Sequence, residues 1–460
     1  MLWITRGLGA TTAARYWFVF GLGFFGSLLS WISIVGWPAW GLAVTLQAGF
    51  FALFGACLSR VDLVRNRAVR IATSAALWVL VAEFLRSVVP FGGFTWGQLA
   101  QSQHDVSWLL RLAAWGGGWL ISFVLVAVNA LLVEAIIGLR ARNRAVVVVM
   151  GALATVLLAG PLVLPTNSAE GASFEMAIVQ GNVSDTAGPG ETSFERELEI
   201  TTSHADLTED LQGRGMDLVV WPESAVGLDP EQNPQVLAEI RRAAVAVGAP
   251  LLVGGNQDVD DDRYAVMIYE VSPEGEIVDR YRKTHLVPFG EYIPGRRFLE
   301  WIPTLDQIPR DAIEGDEIKT FDVAGGTVGT VISFEGDFGP LVRTRIAAGA
   351  RLLVVATNTS TWGRTWASAQ HLSFSQIRAA ENGTWVAHAA VSGISAFVAP
   401  DGRVTEASDL YKASSLVRRV RFATGTTFYA RVGDWVPLVS LLLVAAAFLA
   451  NRRERSVTQT

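Results

Sequence analysis

The chain has 460 residues, 51% of them hydrophobic, with a mean hydropathy of +0.34 and a net charge of −6. That is too apolar for one water-soluble globule and too long for a simple membrane bundle, and nothing in it suggests nucleic-acid binding. The single cysteine, Cys57, excludes a disulfide framework and a thiolate metal cluster.

Charge divides the chain. Before Pro165 there are four acids (Asp62, Glu83, Asp105, Glu134) and eleven arginines, a net +7, and the total of −6 leaves −13 for the remainder. A bilayer span needs about 20 apolar residues. Candidates lie at Trp17–Val35, Trp40–Leu58, Ile71–Pro90, Trp119–Ile137, Val146–Leu164 and the shorter Trp435–Ala450. The first resembles a signal peptide, but its length and the lack of an A-x-A site argue for a span. Arginines mark alternate loops: Arg60, Arg65, Arg67 and Arg70, then Arg140, Arg142 and Arg144, then Arg452, Arg453 and Arg455. With a cytoplasmic amino terminus, all three basic loops face the cytoplasm and the long segment after Pro165 lies outside.

The expected division is 1–165, a helical membrane region of five spans; 166–434, an extracytoplasmic domain; and 435–460, a final span with a basic tail. Cys57 falls at the cytoplasmic end of span two, as a small apolar core residue. Glu83 and Arg86, three apart in span three, are expected to pair, because an isolated charge in a membrane is costly. The loop Phe91-Gly-Gly-Phe-Thr-Trp-Gly, which contains Trp96, carries aromatics at interfacial depth. It either anchors helix ends or forms the floor of a site.

In the outer segment, strands are expected at 174–180, 217–221, 250–255, 265–271, 277–281, 326–332, 352–356, 384–388 and 396–398. Helices are expected at 193–212, 234–247, 340–348 and 366–381. Alternation of strands and helices, broken by the hairpin turns Pro-Glu-Gly at 273–275 and Pro-Asp-Gly at 400–402, implies a layered α/β domain. The acidic run Asp258, Asp260, Asp261, Asp262 lacks the glycine and distal glutamate of a calcium loop and reads as a solvated turn. The five histidines show no ligand spacing, so no metal or cofactor is expected.

Polar residues gather at strand ends, where open α/β sheets bind ligands. Gly326–Gly339 reads as a buried strand that stops at Ser333, then a tight turn and a helix, the arrangement that lifts one side chain out of a sheet. Glu223 follows the strand in Val-Val-Trp-Pro-Glu-Ser. Asn358 to Ser360 end another. Lys283 stands at a fourth strand end and is one of only three lysines against thirty-four arginines. Where charge alone would be met by arginine, a compact amine suits a group that donates to a developing oxyanion. Glu, Lys and a small nucleophile on converging strand ends form an acyl-transfer set. Each also has a plain alternative: a surface glutamate, a salt-bridged lysine, a turn serine.

Six motifs carry a resemblance. They are Gln180-Gly-Asn, Trp221-Pro-Glu-Ser, Lys283-Thr-His-Leu-Val-Pro-Phe-Gly-Glu-Tyr-Ile-Pro, Val331-Ile-Ser-Phe-Glu, Asn358-Thr-Ser-Thr-Trp-Gly and Arg378-Ala-Ala-Glu-Asn-Gly. Together with Glu83, Arg86 and Phe91–Gly97, they resemble the apolipoprotein N-acyltransferase family, membrane-embedded members of the nitrilase superfamily. The resemblance implies a nitrilase-like four-layer α-β-β-α sandwich on a helical transmembrane base of about six spans. Family members usually carry a further pair, which would be amino-terminal here.

It implies Glu223 as general base, Lys283 as oxyanion stabiliser, Ser333 at the nucleophile position, and Glu291 and Glu335 in support. Asn358 and Trp362 would line the acyl or headgroup pocket, with Trp96 as a further substrate contact. The implied reaction is ping-pong: an acyl chain leaves a phospholipid and passes to the α-amine of a lipoprotein's diacylglyceryl-cysteine. The implied setting is the cytoplasmic (inner) membrane, and the chain is expected to act as a monomer. The insertion Phe298-Leu-Glu-Trp-Ile-Pro-Thr-Leu is apolar enough for a membrane-dipping lid or a buried helix.

The departure lies at the centre. The family nucleophile is cysteine, and this chain has Ser333. A thiol is a few per cent ionised near neutrality and a hydroxyl is not, so Ser333 is expected to be slow or inactive. Three readings stay open: a deliberate exchange that captures substrate, a natural homologue that binds lipids or lipoproteins without turnover, and a serine that turns over by itself. A membrane-tethered nitrilase-type amidase is the remaining alternative.

Overall fold

The apolar stretches fold as long helices and the alternating ones as strands, in separate units. The computed structural model describes the chain except residues 62–63, 65, 184–191, 300–304, 306–307 and 458–460. Most of the insertion read as a lid lies outside the described residues. One unit is Met1–Thr166 with Val432–Thr460, the other Asn167–Arg431.

The first unit is built on the helices Ala10–Leu28, Trp37–Val61, Arg67–Leu77, Ala113–Arg140, Arg144–Ala159 and Trp435–Val457. Among the described residues, four helical stretches are long and apolar enough to cross a membrane: Trp37–Val61, Arg67–Ser87, Ala113–Arg140 and Arg144–Val163. The expected final span is the shorter Trp435–Ala450. The expected first span begins earlier, at Ala10, and its helix ends at Leu28 before a 3-10 turn at Ser30–Ile34. Arg144–Val163 exposes Val148, Val156, Leu162 and Val163. Water does not accept so long an apolar face and hydrocarbon does; the chain is a membrane protein.

The third span departs from a plain helix. It widens into a π-helical turn at Trp78–Phe84 and tightens at Leu85–Ser87. Polar side chains turn inward here, and π-turns commonly mark such sites. Glu83 and Arg86, expected as a pair, bond to different partners. Glu83 accepts from Trp78 Nε1 at 2.9 Å and Leu99 N at 2.8 Å. Arg86 donates to the carbonyls of Ala82 and Phe94, each at 2.9 Å, and to that of Trp96. The loop after the helix is thus wrapped on a buried guanidinium.

Among its described residues the second unit holds thirteen strands: β1 (Ser173–Gln180), β2 (Leu218–Val226), β3 (Leu251–Asp258), β4 (Arg263–Val271), β5 (Ile277–Arg282), β6 (Asp311–Ala312), β7 (Thr320–Val323), β8 (Gly326–Ile332), β9 (Leu352–Thr357), β10 (Val386–Ala390), β11 (Ala396–Val398), β12 (Val404–Ala407) and β13 (Ser414–Arg421). One sheet runs β13-β1-β2-β3-β4-β5, with β6 on β4; the other runs β12-β11-β10-β9-β8-β7. Parallel pairing joins β1, β2 and β3, and β4 with β6, in one sheet and β8, β9 and β10 in the other.

Side chains alternate across a strand, and here both faces are apolar. Met176, Ile178, Leu218 and Val220 meet Ile332, Leu352, Val354 and Ala356 between the sheets. Their neighbours Ala177, Val179, Val219 and Trp221 face Val236, Ile240 and Ala243 of the helix Pro234–Val247. On the far side, Val331, Leu353 and Val355 pack with Val342, Ile346, Leu372 and Ala379 of the helices Gly339–Ala347 and Ala367–Asn382. The result is four layers, α-β-β-α, as the resemblance implied.

Candidate active site

Strand β8 ends in an elbow. Ser333 adopts φ +48°, the left-handed region that non-glycine residues rarely occupy. The chain then turns through Ser333–Asp337 into the helix Gly339–Ala347. The parallel register pairs Ile332 with Ala356, so Ser333 comes beside Thr357, whose hydroxyl donates to Ser333 Oγ at 3.1 Å. Ser333 is half-buried, whereas the charged groups around it are buried.

Glu335 holds the elbow. Its Oε2 accepts from Ile332 N at 2.7 Å. Its Oε1 accepts from Tyr281 OH, Thr284 N and Thr284 Oγ1, each at 2.7 Å, and from His285 N at 3.2 Å. One carboxylate therefore ties the end of β8 to the segment that follows β5. Arg345 donates to Tyr281 OH from behind.

Glu223 leaves β2 through an irregularity. Trp221 pairs with Val253, but Val226 pairs with Gly255, so four residues of β2 stand against Gly254. Pro222 has no N–H for the ladder, and Ser224 has φ +59°. A Cβ on Gly254 would lie 2.1 Å from the Pro222 oxygen and 2.8 Å from Glu223 Cα. Only glycine lets the strands approach so closely. Gly254→Ala is expected to cost about 1–3 kcal/mol of stability by overpacking and to displace Glu223; thermal unfolding of the purified variant reads the first, acylation rate the second.

Lys283 follows β5, and its amide donates to Val266 O at 2.9 Å. Its side chain is fully buried, with Nζ 3.0 Å from Glu223 Oε1 and in contact with Glu291 Oε1. The other two lysines pair at less buried sites, Lys319 with Asp279 and Lys412 with Asp409. Glu291 is positioned by Val287 N, which donates to its Oε2 at 2.8 Å. Glu223 receives a second bond from Asn358 N at 2.8 Å. Burial raises Glu223 above the usual carboxylate range; Lys283 opposes this and Glu291 adds to it. Burial alone would lower Lys283, but Glu223 and Glu291 outweigh it and hold the ammonium above its ordinary value. The site thus offers a carboxylate of raised proton affinity beside a persistent cation, the pairing a general base and an oxyanion stabiliser require.

Glu223, Lys283, Glu291, Asn358, Ser333 and Glu335 come together through these bonds, with Thr357 and Asn358 adjacent in the chain and serving Ser333 and Glu223 in turn. Asn358, expected to line a pocket, lends its amide to Glu223, while its side chain accepts from Ser360 N at 3.0 Å and Ser360 Oγ at 2.7 Å. Trp362 ends the short turn Ser360–Trp362 and is half-buried. Trp96 belongs to the helical unit, buried against Trp31 and stacked on Phe94 with centroids 5.7 Å apart.

Sequence reasoning missed Thr357, Tyr281 and Arg345. His371, one of the five histidines without ligand spacing, also stands at the elbow. His371 bonds the backbone of Ser333 and lies 3.3 Å from Asp337; burial lowers its pKa to about 4 and pushes Asp337 up. Thr357 sits inside the Val-Ala-Thr-Asn segment singled out for Asn358, which is the one signal that could have found it.

The sandwich, with its Glu–Lys pair beside a strand-end serine, is the architecture of the carbon–nitrogen hydrolase class. The family model for carbon-nitrogen hydrolases matches residues 176–425, and that for the apolipoprotein N-acyltransferase N-terminal domain matches residues 1–131. The apolipoprotein N-acyltransferase of Geobacter metallireducens is 31% identical over 96% of this chain and 88% of its own length. That of Nitrosomonas europaea is 31% identical over 98% and 92%. The chain belongs to the apolipoprotein N-acyltransferase family. Among solved structures, a mutant of a Nesterenkonia amidase from the nitrilase superfamily is similar over 58% of this chain and 95% of its own, at 18% identity and a TM-score of 0.43.

Proposed function

We propose that this chain is an acyltransferase that moves an acyl chain from a phospholipid to the α-amine of a lipoprotein's diacylglyceryl-cysteine. The observation that carries the reading is the buried 3.0 Å Glu223–Lys283 pair joined through Asn358 and Thr357 to the Ser333 elbow. The matched relatives, named apolipoprotein N-acyltransferases, support the substrates.

Ser333 Oγ attacks the ester carbonyl as Glu223 takes its proton. The oxyanion forms against Lys283. The ester C–O bond then breaks, the proton passes from Glu223 to the leaving lysophospholipid alkoxide, and the acyl chain stays on Oγ. The α-amine attacks next; Glu223 receives its proton and returns it to Oγ as the amide departs. Glu291 and Glu335 orient the reacting groups, and Asn358 and Trp362 contact substrate. The site works on the extracytoplasmic face of the cytoplasmic membrane in a monomeric multi-pass chain, an orientation supported by the arginine loops. The hydroxyl makes the first step slow.

The test is incubation with labelled phospholipid vesicles and a synthetic diacylglyceryl-cysteinyl peptide. The N-acylated peptide is expected slowly from the native chain and faster from Ser333→Cys; no product from either contradicts the proposal. A second reading, binding without turnover, rests on Ser333 itself and predicts no product even from Ser333→Cys. It also predicts lipopeptide binding unchanged by Glu223→Gln.

The acid limb of the rate follows from Glu223, which works only when deprotonated. Its raised pKa moves that limb above the ordinary glutamate value of about 4.3. The elevated Lys283 contributes no alkaline loss below its usual value of about 10.4. A pH series of acylation rates checks both; a limb at or below ordinary glutamate would assign the base elsewhere.

A further inference from the structure

The helical unit contains a second charged site that the acyl-transfer chemistry does not use. A small open cleft, with a volume of about 30 Å³, is lined by Arg6, Arg70 and Glu134, with Leu58, Ile71 and Val133 among its apolar walls. Two chain segments, the first turn and the helix Arg67–Leu77, deliver three guanidinium groups to the one carboxylate. Arg70 approaches Glu134 at 2.6 Å, Arg6 at 2.9 Å and Arg67 at 3.5 Å. The first turn of the chain is pinned in place: Trp17 Nε1 donates to Thr5 Oγ1 at 3.2 Å, and Arg140 lies over the Trp3 ring at 4.5 Å.

The charges do not balance. Glu134 is buried and neutralises one guanidinium. Arg70 spends a second arm on Val64 O at 2.8 Å and is mostly buried. The Arg6 side chain is 28% exposed and that of Arg67 48%, and each guanidinium has five donors in a fork that matches a phosphate. Among the described residues, the cleft lining carries a surplus of one positive charge, and Arg67, which pairs with Glu134 from outside that lining, adds a second. A structural clamp on one carboxylate requires no such surplus. Basic pockets between membrane helices near the cytoplasmic surface hold acidic lipid headgroups, and this end of the unit carries the arginine loops.

We propose that this cleft binds the phosphate of an anionic glycerophospholipid, with Arg6 and Arg67 as its donors and Leu58, Ile71 and Val133 against the upper acyl chains. Glu134 competes with the lipid for the same guanidinium groups. The site is independent of the acyl-transfer reading: it stands or falls on lipid retention alone.

The experiment is native mass spectrometry of the delipidated full-length chain, offered phosphatidylglycerol, phosphatidylcholine or inorganic phosphate. Phosphatidylglycerol is expected to be retained over phosphatidylcholine. The Arg6→Gln/Arg67→Gln variant should weaken that retention by about tenfold, the loss of charge-assisted bonds to one phosphate. Glu134→Gln should strengthen it, because the competing carboxylate is gone; a purely structural network would give no gain. Equal retention of the two lipids, or no change in either variant, overturns the proposal. Displacement of phosphatidylglycerol by millimolar inorganic phosphate assigns a small-anion site instead and overturns the lipid.

Discussion

Ser333→Cys is expected to convert a slow chain into one that accumulates an acyl adduct within minutes of meeting phospholipid. The elbow already presents the side chain at φ +48°, and Thr357 already donates to its terminal atom. What the serine lacks is ionisation. A thiol of ordinary pKa is about 3% thiolate at pH 7, and Glu223, raised by burial, can take the remaining proton. Intact-mass analysis should show one acyl chain per molecule, released by hydroxylamine as a thioester is. The backbone need not move, so the gain is one of chemistry and not of folding. An unmodified Ser333→Cys chain would mean that the pocket does not admit the donor.

Lys283→Met carries the other large effect, on stability and rate together. Its Nζ is the cation between Glu223 and Glu291. Removing one partner from a buried ion pair typically costs about 3–5 kcal/mol. The two carboxylates would then face each other, and Glu223 would lose the attraction that opposes its upward shift. Shifted further upward, it would hold its own proton more tightly and accept the nucleophile's proton less readily. Loss of an oxyanion donor adds a rate penalty of about 10²–10³. Thermal unfolding and adduct formation in a Ser333→Cys background measure the two effects. Unchanged unfolding would show that the lysine is not the counter-ion of this site, and an unchanged rate that it does not meet the oxyanion.

The parts of the site legible from sequence are those whose chemistry is local. A strand running straight into Ser-Phe-Glu-Gly-Asp announces an elbow. A lone lysine among arginines announces an amine chosen over a guanidinium, and Lys283 is the fully buried one of the three. The parts that were not legible depend on pairings between distant segments. Thr357 reaches Ser333 only because β8 and β9 pair with Ile332 opposite Ala356. Glu335 acts as the clamp only once β5 and β8 bring Tyr281, Thr284 and Ile332 to one carboxylate.

Strands were lost for a related reason. β13 carries Arg418, Arg419 and Arg421 at a sheet edge and reads as solvated chain, yet it pairs with β1 over its full length. Edge strands tolerate such charge because one side of their ladder is open. In the membrane unit, the π-helical turn at Trp78–Phe84 is set by the separate partners of Glu83 and Arg86, and spacing alone suggested a direct pair.

The most direct test of the central claim is the position of the acyl chain. Native and Ser333→Cys chains, incubated with isotopically labelled phospholipid, are digested and mapped by tandem mass spectrometry. The account predicts the label on residue 333 in both, sparse as an ester on serine and near stoichiometric as a thioester on cysteine, and absent from each when Glu223 is Gln. Label on Cys57 or Lys283 in place of residue 333, or label that persists without Glu223, would contradict it.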